Sequence, residues 1–482
     1  MSTDSKDIIP SKTWCVYPWT HSYQGSKYER KLCCIADDVP NGDKQTLEEF
    51  WNSEYMQTTR KKMLKGDMVK ECAVCYKNEM LGIKSLREES SDELTEPELI
   101  ENIIDTTTID DGYLKLKPDY FDYRTIHCNL QCVSCGDTYS SQHQLLKEEM
   151  WGHEPNFTPD KSFEANSAGE IIEALNSGRL KNLYWAGGEP MMSPLHWKVI
   201  SYMDAKLNTS LYKDYIGGIR MHYNTNLTRL KWKNRSIPEM LEPFQPSIQA
   251  SLDGVYETCE YTRDGAIWEE IDYNFKEYHK LLNKDNQFGV ASVLSAPVIF
   301  DIDRYLDYYG PYDPFLHPHY NFSNKDRNHL GGVPGFLDIS WYPKNISIPA
   351  LKYAINKFEN CGLRNSEKAV QILNAYLDDI NKQKEDSMIT WVRLKGITEY
   401  RNKFAKTKRT FSEVLGIIDN NTSNNLHLQD WYDSIILPTE AELGRQYHGD
   451  PYQEMNKLEL PWVGKTITDK YLTRPEGEED GN

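Results

Sequence analysis

The sequence predicts an α/β fold built around a partial (β/α)6 barrel of the TIM type. Between about residues 109 and 345, short runs rich in aromatic and β-branched residues alternate with segments of helical periodicity. Such alternation is typical of parallel strands joined by crossover helices, and six such units make an open, partial barrel. At 482 residues the chain is also too long for one ordinary core. We therefore predict three parts: a cysteine-rich module with an acidic connector (1–108), the barrel core (109–345) and a helical C-terminal region (346–482).

The first part carries a set of five cysteines: Cys15 in WCVYPWTHSYQG, the adjacent pair Cys33 and Cys34, and Cys72 and Cys75 in ECAVCYKNEMLG. Four of them can close one site, because four thiolates suit either zinc or an iron–sulfur cube. Spacing alone does not choose between these two metals. It also leaves open which member of the adjacent pair is the ligand.

Helical sequence separates these cysteines. The segment TLEEFWNSEYMQTTRKKMLKGD predicts a helix with an apolar stripe. The stripe consists of Leu47, Phe50, Trp51 and Met63. The following stretch, 85–112, is acidic and poor in aromatic residues, and we interpret it as the connector to the core.

A second cysteine set opens the core. Cys128, Cys132 and Cys135 form a C-x3-C-x2-C motif in HCNLQCVSCG, directly after DYFDYRT, which predicts a strand. An iron–sulfur cube usually takes four cysteines, so three leave one iron free to bind a small molecule. A structural zinc site is normally closed by four protein ligands. The alternative is a zinc loop or three unrelated core thiols.

Three later segments predict strands that end in polar or glycine residues: LYWAGGEP, RMHYNTNL and PSIQASLDG. In barrels, ligands lie at the C-terminal ends of the strands, and glycine lets the backbone approach a ligand closely. The candidate residues at these ends are Gly187, Gly188, Glu189, Pro190, Thr225, Asn226, Ser251 and Asp253.

The sequence pattern changes twice in the last third of the chain. Residues 311–349 are dense in Pro, His, Asn and Gly, which predicts irregular loops. His317, His319 and His329 in these loops either line a substrate cavity or are surface histidines. After Pro349 the apolar residues recur three and four apart, which predicts helices.

Composition excludes several classes of protein. A net charge of -18 argues against a nucleic-acid groove. No apolar run is long enough to span a bilayer and the N-terminus has no signal core, so we expect a cytoplasmic protein without a membrane partner. Ten cysteines, several in C-x2-C spacing within a long chain, favour metal binding in a reducing compartment over disulfides.

The core motifs carry a family resemblance. Residues from about 118 to 303 resemble the core of radical SAM enzymes, which have three cysteines at this spacing after the first strand and a glycine-rich segment after the second. The order of the later strands is similar as well. One position departs from the family pattern, because Ser134 stands before the third cysteine where an aromatic residue is usual.

The N-terminal cysteines carry a second resemblance. Their layout, C-x2-P-W, a glycine, C-C, a helix and C-x2-C, resembles the twitch module, a shortened SPASM domain of radical SAM enzymes. Here the module precedes the core. The resemblance implies an auxiliary [4Fe-4S] cluster held by Cys15, Cys33, Cys72 and Cys75, with Cys33 preferred to Cys34.

Together these resemblances imply an enzyme that reductively cleaves S-adenosylmethionine (SAM) at a three-cysteine [4Fe-4S] cluster to begin hydrogen abstraction. The strand-end residues would then bind SAM. The implied partners are a small-molecule or carbohydrate substrate, with a peptide not excluded, and a reductant such as flavodoxin or ferredoxin. The alternative is a non-catalytic iron–sulfur or zinc protein for binding or electron transfer on the same scaffold.

Overall fold

A computed structural model of the chain describes residues 11–80, 84–94, 97–107, 111–152, 154–155, 157–207, 209–283, 287–319, 337–382, 388–407, 409–435 and 437. Within these residues the strands are β1 (His21–Gln24), β2 (Arg30–Lys31), β3 (Tyr120–Thr125), β4 (Asn182–Gly187), β5 (Arg220–Thr225), β6 (Lys231–Trp232), β7 (Arg235–Ser236), β8 (Ser247–Ser251), β9 (Phe288–Val293) and β10 (Phe315–His319).

The α-helices of the described residues are α1 (Tyr17–Thr20), α2 (Leu47–Trp51), α3 (Glu54–Lys65), α4 (Ala73–Met80), α5 (Leu86–Leu94), α6 (Pro97–Thr106), α7 (Ser141–Trp151), α8 (Lys161–Asn176), α9 (Pro194–Leu207), α10 (Ser210–Gly217), α11 (Ile237–Leu241), α12 (Tyr256–Thr262), α13 (Trp268–Leu282), α14 (Ala296–Phe300), α15 (Ile302–Tyr309), α16 (Lys344–Asn360), α17 (Ser366–Lys382), α18 (Met388–Asn402), α19 (Phe411–Asn421) and α20 (Leu428–Ser434).

The chain folds into two compact units. The first comprises Met1–Cys128, Phe157–Asn224 and Glu239–Ser247. Its strands lie in the order β2-β1-β3-β4-β5, and all are parallel except β2, which is antiparallel to β1. Helices connect the parallel strands, as crossover connections require.

One face of this sheet packs against helices α8 and α9. The hydroxyl of Tyr123 on β3 donates to Glu170 of α8. The Trp185 ring on β4 lies 5.0 Å from the His196 ring of α9. Both strand residues are buried, as expected for alternate residues that face one side of a sheet.

His196 makes this packing sensitive to acid. The side chain is fully buried, with Nε2 2.9 Å from the Tyr223 hydroxyl, and burial lowers its pKa to about 3. The unfolded chain takes up a proton on this residue below about pH 6.5, so its contribution to stability is present above that pH and is lost as the pH falls towards 3. We expect the free energy of unfolding to fall by about 2 kcal/mol from pH 7 to pH 5 because of His196.

Urea unfolding of the wild type and of His196→Gln at both pH values measures this effect. The decrease in unfolding free energy from pH 7 to pH 5 should be about 2 kcal/mol smaller in His196→Gln than in the wild type. His427→Asn is the matched control, since His427 is exposed and its positive φ of 53° suits asparagine. An equal loss of stability in wild type and His196→Gln would contradict the prediction.

The second unit comprises Asn129–Asn156, Thr225–Pro238 and Ile248–Asn482. Strands β8, β9 and β10 lie side by side and parallel, and β6 and β7 form a separate antiparallel pair. The Phe275 ring of α13 contacts the rings of Phe288 and Tyr309 at 5.3 and 5.8 Å. Helices α16 and α17 pack on each other beside β10.

These elements confirm the predicted α/β class, whereas the partial barrel stays a prediction. Strands occur at each segment predicted from DYFDYRT, LYWAGGEP, RMHYNTNL and PSIQASLDG, and those paired within the first unit are parallel. The helices predicted after Pro349 are present, although Pro349 itself lies inside α16. Among the residues described, none of the helices has both the length and the apolar character needed to cross a membrane.

Three features differ from the prediction or extend it. The single helix predicted before Cys72 is two helices, because the Ser53 side chain accepts a hydrogen bond from Met56 N and caps α3. The acidic connector contains α5 and α6. Strand β1, from the predicted module, pairs in parallel with β3 of the predicted core. The three predicted domain ranges stay a prediction.

Candidate functional site

The four cysteines predicted to bind the auxiliary cluster line one cavity. Cys15, Cys33, Cys72 and Cys75 line it together with Tyr17, Arg87 and apolar side chains. All of these residues belong to the first unit. Cys34 is not part of this lining.

Two hydrogen bonds to backbone carbonyls bring these cysteine segments together. Arg87 Nη1 donates to the Trp14 carbonyl at 2.6 Å, which fixes the segment before Cys15. Asp37 N donates to the Glu71 carbonyl at 3.0 Å, which joins the chain after the cysteine pair to the chain before Cys72. Helices α2 and α3 lie between these two segments and return the chain to the cavity.

The thiols of this cavity are protonated at neutral pH. Burial raises the pKa of Cys15 to about 12, and burial also raises the pKa of Cys33 and Cys72. A metal or cluster binds thiolates, so its binding here would release protons. The donor set of four thiols fits either an iron–sulfur cube or zinc.

Cys34 has different neighbours. Burial raises the pKa of its thiol to about 11, while Arg124 on β3 opposes that rise. The adjacent cysteines therefore face different surroundings: Cys33 lines the cavity, and Cys34 interacts electrostatically with Arg124 and Asp122.

A buried arginine supports the module. Arg60 of α3 is fully buried, and its guanidinium donates to the Pro18 and Trp51 carbonyls at 2.8 Å each. It also lies over the Trp51 ring at 4.7 Å. Desolvation lowers the pKa of Arg60 to about 9. This side chain joins α1, α2 and α3 around the cysteine cavity.

Replacing Arg60 by methionine should lower the unfolding free energy by about 2 kcal/mol, because two buried carbonyls lose their donor. Urea unfolding measures the change. Lys62→Met, on the exposed side of the same helix, is the matched control and should stay within about 0.5 kcal/mol of the wild type. An Arg60→Met protein as stable as Lys62→Met would contradict the structural role of Arg60.

The loop of the core cysteines is held by side chains from several elements. Four consecutive carbonyls, from 129 to 132, each accept a hydrogen bond from a different side chain of the second unit. The donors to these carbonyls, in order, are Lys406 Nζ at 3.2 Å, Ser140 Oγ at 3.2 Å, Arg401 Nη2, and His143 Nε2 at 2.8 Å. These contacts fix the backbone of the loop.

Arg263 lies beside one of the thiols in this loop. Its Nη1 is 3.8 Å from Cys132 Sγ, and its Nε is 3.0 Å from Asp253 Oδ2. Burial raises the pKa of Cys132, and Arg263 acts against that rise. A cation at this distance stabilises a thiolate, which is the form that binds iron. Nothing in the local sequence of Arg263 distinguishes it from a surface arginine, so its place beside the loop was not predictable from that sequence.

Two of the predicted strand ends contact this loop in the second unit. Asp253, after β8, accepts from Ser134 Oγ at 3.5 Å and from Val293 N at 2.7 Å. Asn226, after β5, donates to Asn129 Oδ1 at 3.3 Å. The carboxylate of Asp253 is therefore already engaged by protein groups. Ser251 is half-buried, and its hydroxyl has no hydrogen-bond partner among the described residues.

The third predicted strand end contacts the chain just before Cys128 in the first unit. Gly188 N donates to the Thr125 carbonyl at 2.6 Å, and Glu189 N donates to the His127 carbonyl at 2.7 Å. Gly187 has a φ of 105°, and a Cβ on it would collide with backbone atoms of Thr125. The glycines thus allow the end of β4 to approach the end of β3.

Side chains in this segment are also engaged. Glu189 is fully buried, and its Oε1 accepts from Met191 N at 3.1 Å, which caps a short turn at Pro190–Met192. His127 Nε2 lies 2.9 Å from Glu164 Oε1 of α8. A ligand at this segment would therefore contact backbone groups, because the Glu189 carboxylate is buried and already accepts a hydrogen bond.

The remaining predicted residues have the following places. Cys128 is buried and ends the opening segment of the first unit, whereas Cys132 and Cys135 belong to the second unit. Thr225 ends β5 and accepts from Leu227 N at 3.2 Å. His317 lies in β10. His329 and the side chain of His319 lie outside the described residues.

Among the described residues, no three or more His, Cys, Asp or Glu side chains are grouped so that they could hold a metal ion. This finding does not choose between zinc and an iron–sulfur cube for the auxiliary cavity.

No protein-family model and no curated protein matches this chain.

Proposed function

We propose that this chain is a radical SAM enzyme with a partial (β/α)6 barrel core and an N-terminal twitch module. Cys128, Cys132 and Cys135 would hold a [4Fe-4S] cluster that has one iron without a protein ligand. Cys15, Cys33, Cys72 and Cys75 would hold an auxiliary [4Fe-4S] cluster, and zinc is the alternative there. The substrate is a small molecule or a carbohydrate, and a peptide is not excluded.

One observation carries this proposal. Each of three separately predicted strand ends contacts the stretch of chain from 125 to 134 that leads into and contains the cysteine motif. In the first unit, Gly188 bonds to Thr125. In the second unit, Asn226 bonds to Asn129 and Asp253 accepts from Ser134. Ligand sites at the ends of parallel strands have this construction.

The cysteine loop also fits a cluster by its chemistry. Its carbonyls already have donors, so the backbone does not need to rearrange around a metal. The guanidinium of Arg263 beside Cys132 favours the thiolate. N–H donors near cluster sulfurs also raise the reduction potential, which is one way in which a protein tunes such a centre.

The chemistry that such a cluster supplies when bound is one-electron cleavage of SAM, which yields methionine and a deoxyadenosyl radical that takes a hydrogen atom from the substrate. The chain's own residues bind and orient the reactants. The half-buried backbone of Gly187 and Gly188 and the hydroxyl of Ser251 would contact SAM. Asp253 acts indirectly, because it positions Arg263 and Ser134 beside the loop.

The proposal is tested with protein purified and reconstituted under anaerobic conditions. Iron and acid-labile sulfide are measured first, and two cubes correspond to about eight irons per chain. The protein is then incubated with SAM and a strong reductant, either dithionite or reduced flavodoxin, and 5′-deoxyadenosine is quantified by chromatography. We expect deoxyadenosine release that depends on both SAM and reductant.

Two results would contradict this proposal. A fully loaded, reducible cluster that releases no deoxyadenosine indicates the alternative, a non-catalytic electron-transfer protein. Zinc in both cysteine sites, without iron or sulfide, indicates a zinc-stabilised scaffold. Four irons with one zinc per chain would preserve the proposed enzyme and assign zinc to the auxiliary cavity.

A further inference from the structure

The sheet face of the first unit that points away from α8 and α9 carries polar and aromatic side chains instead of aliphatic ones. We call it the aromatic face. Its members are His21 and Tyr23 of β1, Tyr120, Asp122 and Arg124 of β3, and Tyr184 of β4. Their strand neighbours Phe121, Tyr123, Leu183 and Trp185 alternate with them and lie on the helix side of the sheet.

Arg124 is the charged centre of the aromatic face. Its Nη2 donates to Asp122 Oδ2 at 2.9 Å, and its Nε lies 2.7 Å from Asp122 Oδ1. The guanidinium carbon lies 4.6 Å from the centre of the Tyr184 ring and 5.7 Å from that of Tyr23. Asp122 and two aromatic rings therefore hold the guanidinium in a fixed orientation.

The ion pair of Arg124 and Asp122 has N–H donors left for another partner but few free acceptor atoms. A guanidinium has five N–H groups in a planar fork. Asp122 faces the Nε–Nη2 side, and the Tyr184 side chain also hydrogen-bonds to the guanidinium. Both carboxylate oxygens of Asp122 are directed at Arg124, and Oδ2 also lies 3.8 Å from His21 Nε2. The Nη1 side of Arg124 is therefore the part of this ion pair that suits a second partner, and that partner must accept hydrogen bonds.

Nearby phenols add to these donors. The side chains of Tyr17 and Tyr23 are only 9% and 3% exposed, and their hydroxyls have no hydrogen-bond partner among the described residues. The Tyr17 ring lies 4.4 Å from the His21 ring, and the Tyr120 ring lies 4.5 Å from it. Neither hydroxyl oxygen is among the fully buried, unpaired polar atoms of the described residues, so both remain accessible to a bound ligand.

We propose that the aromatic face binds the oxyanion group, carboxylate or phosphate, of a small organic substrate through Arg124 and the hydroxyls of Tyr17 and Tyr23. The rings of Tyr23 and Tyr184 would contact the carbon skeleton of that substrate. This inference deepens the proposed function and rests on it, because it assigns the bound anion to the substrate of that enzyme.

The position along the chain agrees with this assignment. Arg124 precedes Cys128 by four residues, so their Cα atoms are at most about 14 Å apart. A molecule of a few carbon atoms anchored at Arg124 can therefore extend towards the end of β3, where the cysteine motif begins. The whole aromatic face belongs to the first unit, and Tyr17 also lines the cavity of the auxiliary cysteines. The bound substrate would therefore lie beside that cavity.

The test measures anion binding to the full-length protein, without SAM and without reductant. Inorganic phosphate and acetate are titrated separately by calorimetry, with chloride used to keep the ionic strength constant. The wild type should bind at least one of them saturably at one site per chain. Binding of phosphate alone indicates a phosphorylated substrate, and binding of acetate alone indicates a carboxylic acid.

Three variants locate the site. Asp122→Asn/Arg124→Gln removes both charges together, so no unpaired charge is left buried, and it should weaken binding at least 10-fold. Tyr23→Phe removes one hydroxyl and should weaken binding about 5-fold. Arg220→Gln, at the exposed start of β5 in the same unit, is the matched control and should bind within 2-fold of the wild type.

Absence of saturable binding of both anions to the wild type would overturn the inference. So would equal affinity in the wild type and in a folded double variant, with folding checked by near-ultraviolet circular dichroism. If the double variant does not fold, Tyr23→Phe decides, and unchanged affinity in that variant would overturn the inference. Because SAM takes no part in these measurements, failure here is distinct from failure to release deoxyadenosine.

Discussion

Replacing Cys128 by alanine should abolish release of deoxyadenosine from SAM. Cys128 is the first ligand of the proposed three-cysteine cluster, and two thiolates cannot retain a cube that already has one iron without a protein ligand. The variant should lose about four of the roughly eight irons expected per chain. Chromatography of the deoxyadenosine product and colorimetric iron analysis, both on anaerobic protein, measure the two effects.

The control for this variant is Cys361→Ala. Cys361 is half-buried at the end of α16, outside both cysteine sets, and its thiol contacts the Phe358 carbonyl. This variant should retain the iron content and the activity of the wild type. Activity in Cys128→Ala comparable to that of Cys361→Ala would exclude the proposed role of the core motif.

Gly187→Ala should lower the unfolding free energy by about 4 kcal/mol. Two effects combine at this residue. A φ of 105° lies in a region that side chains rarely adopt, and an added Cβ would collide with the backbone N and O of Thr125. To relieve the collision, the end of β4 must move away from the chain before Cys128, so SAM affinity should also fall at least 10-fold.

Gly169→Ala is the matched control for this change. Gly169 lies on the exposed side of α8, and a Cβ on it would meet no atom within 4 Å. Alanine favours a helix, so this variant should be slightly more stable than the wild type, by about 0.5 to 1 kcal/mol. Urea unfolding and equilibrium dialysis of SAM test both variants. A stable Gly187→Ala protein with normal SAM affinity would contradict the proposed site.

Local patterns predicted the elements of the fold well. Strands β3 and β4 are short runs rich in aromatic residues, and such residues favour strands. In β8 the signal is instead the alternation of apolar Ile248 and Ala250 with polar residues. The division between α2 and α3 was also within reach, since Ser53 followed by a helical pattern is an N-cap signal. The pairing of β1 with β3 could not be predicted, because it joins residues about 100 positions apart.

The site was predictable only as far as its motifs extend. Each candidate cysteine was identified from spacing, whereas Arg263 and the side chains that hold the loop carbonyls carry no local signal. Lys406 and Arg401 reach the loop from 277 and 270 residues away. Arg124 was recognisable in retrospect, because a charged pair at alternate positions of an otherwise aromatic strand must share one face of the sheet.

The long-range contacts of the cysteine loop have a consequence for biosynthesis. Two of its four carbonyl donors, Arg401 and Lys406, are translated 270 and 277 residues after the carbonyls that they hold. A nascent chain that has not yet released them from the ribosome lacks half of the scaffold around Gln131 and Asn129. Delivery of iron and sulfide to the proposed cluster in this loop is therefore expected only after Arg401 and Lys406 have left the ribosome. The residues that line the first unit's cavity are translated before the loop itself.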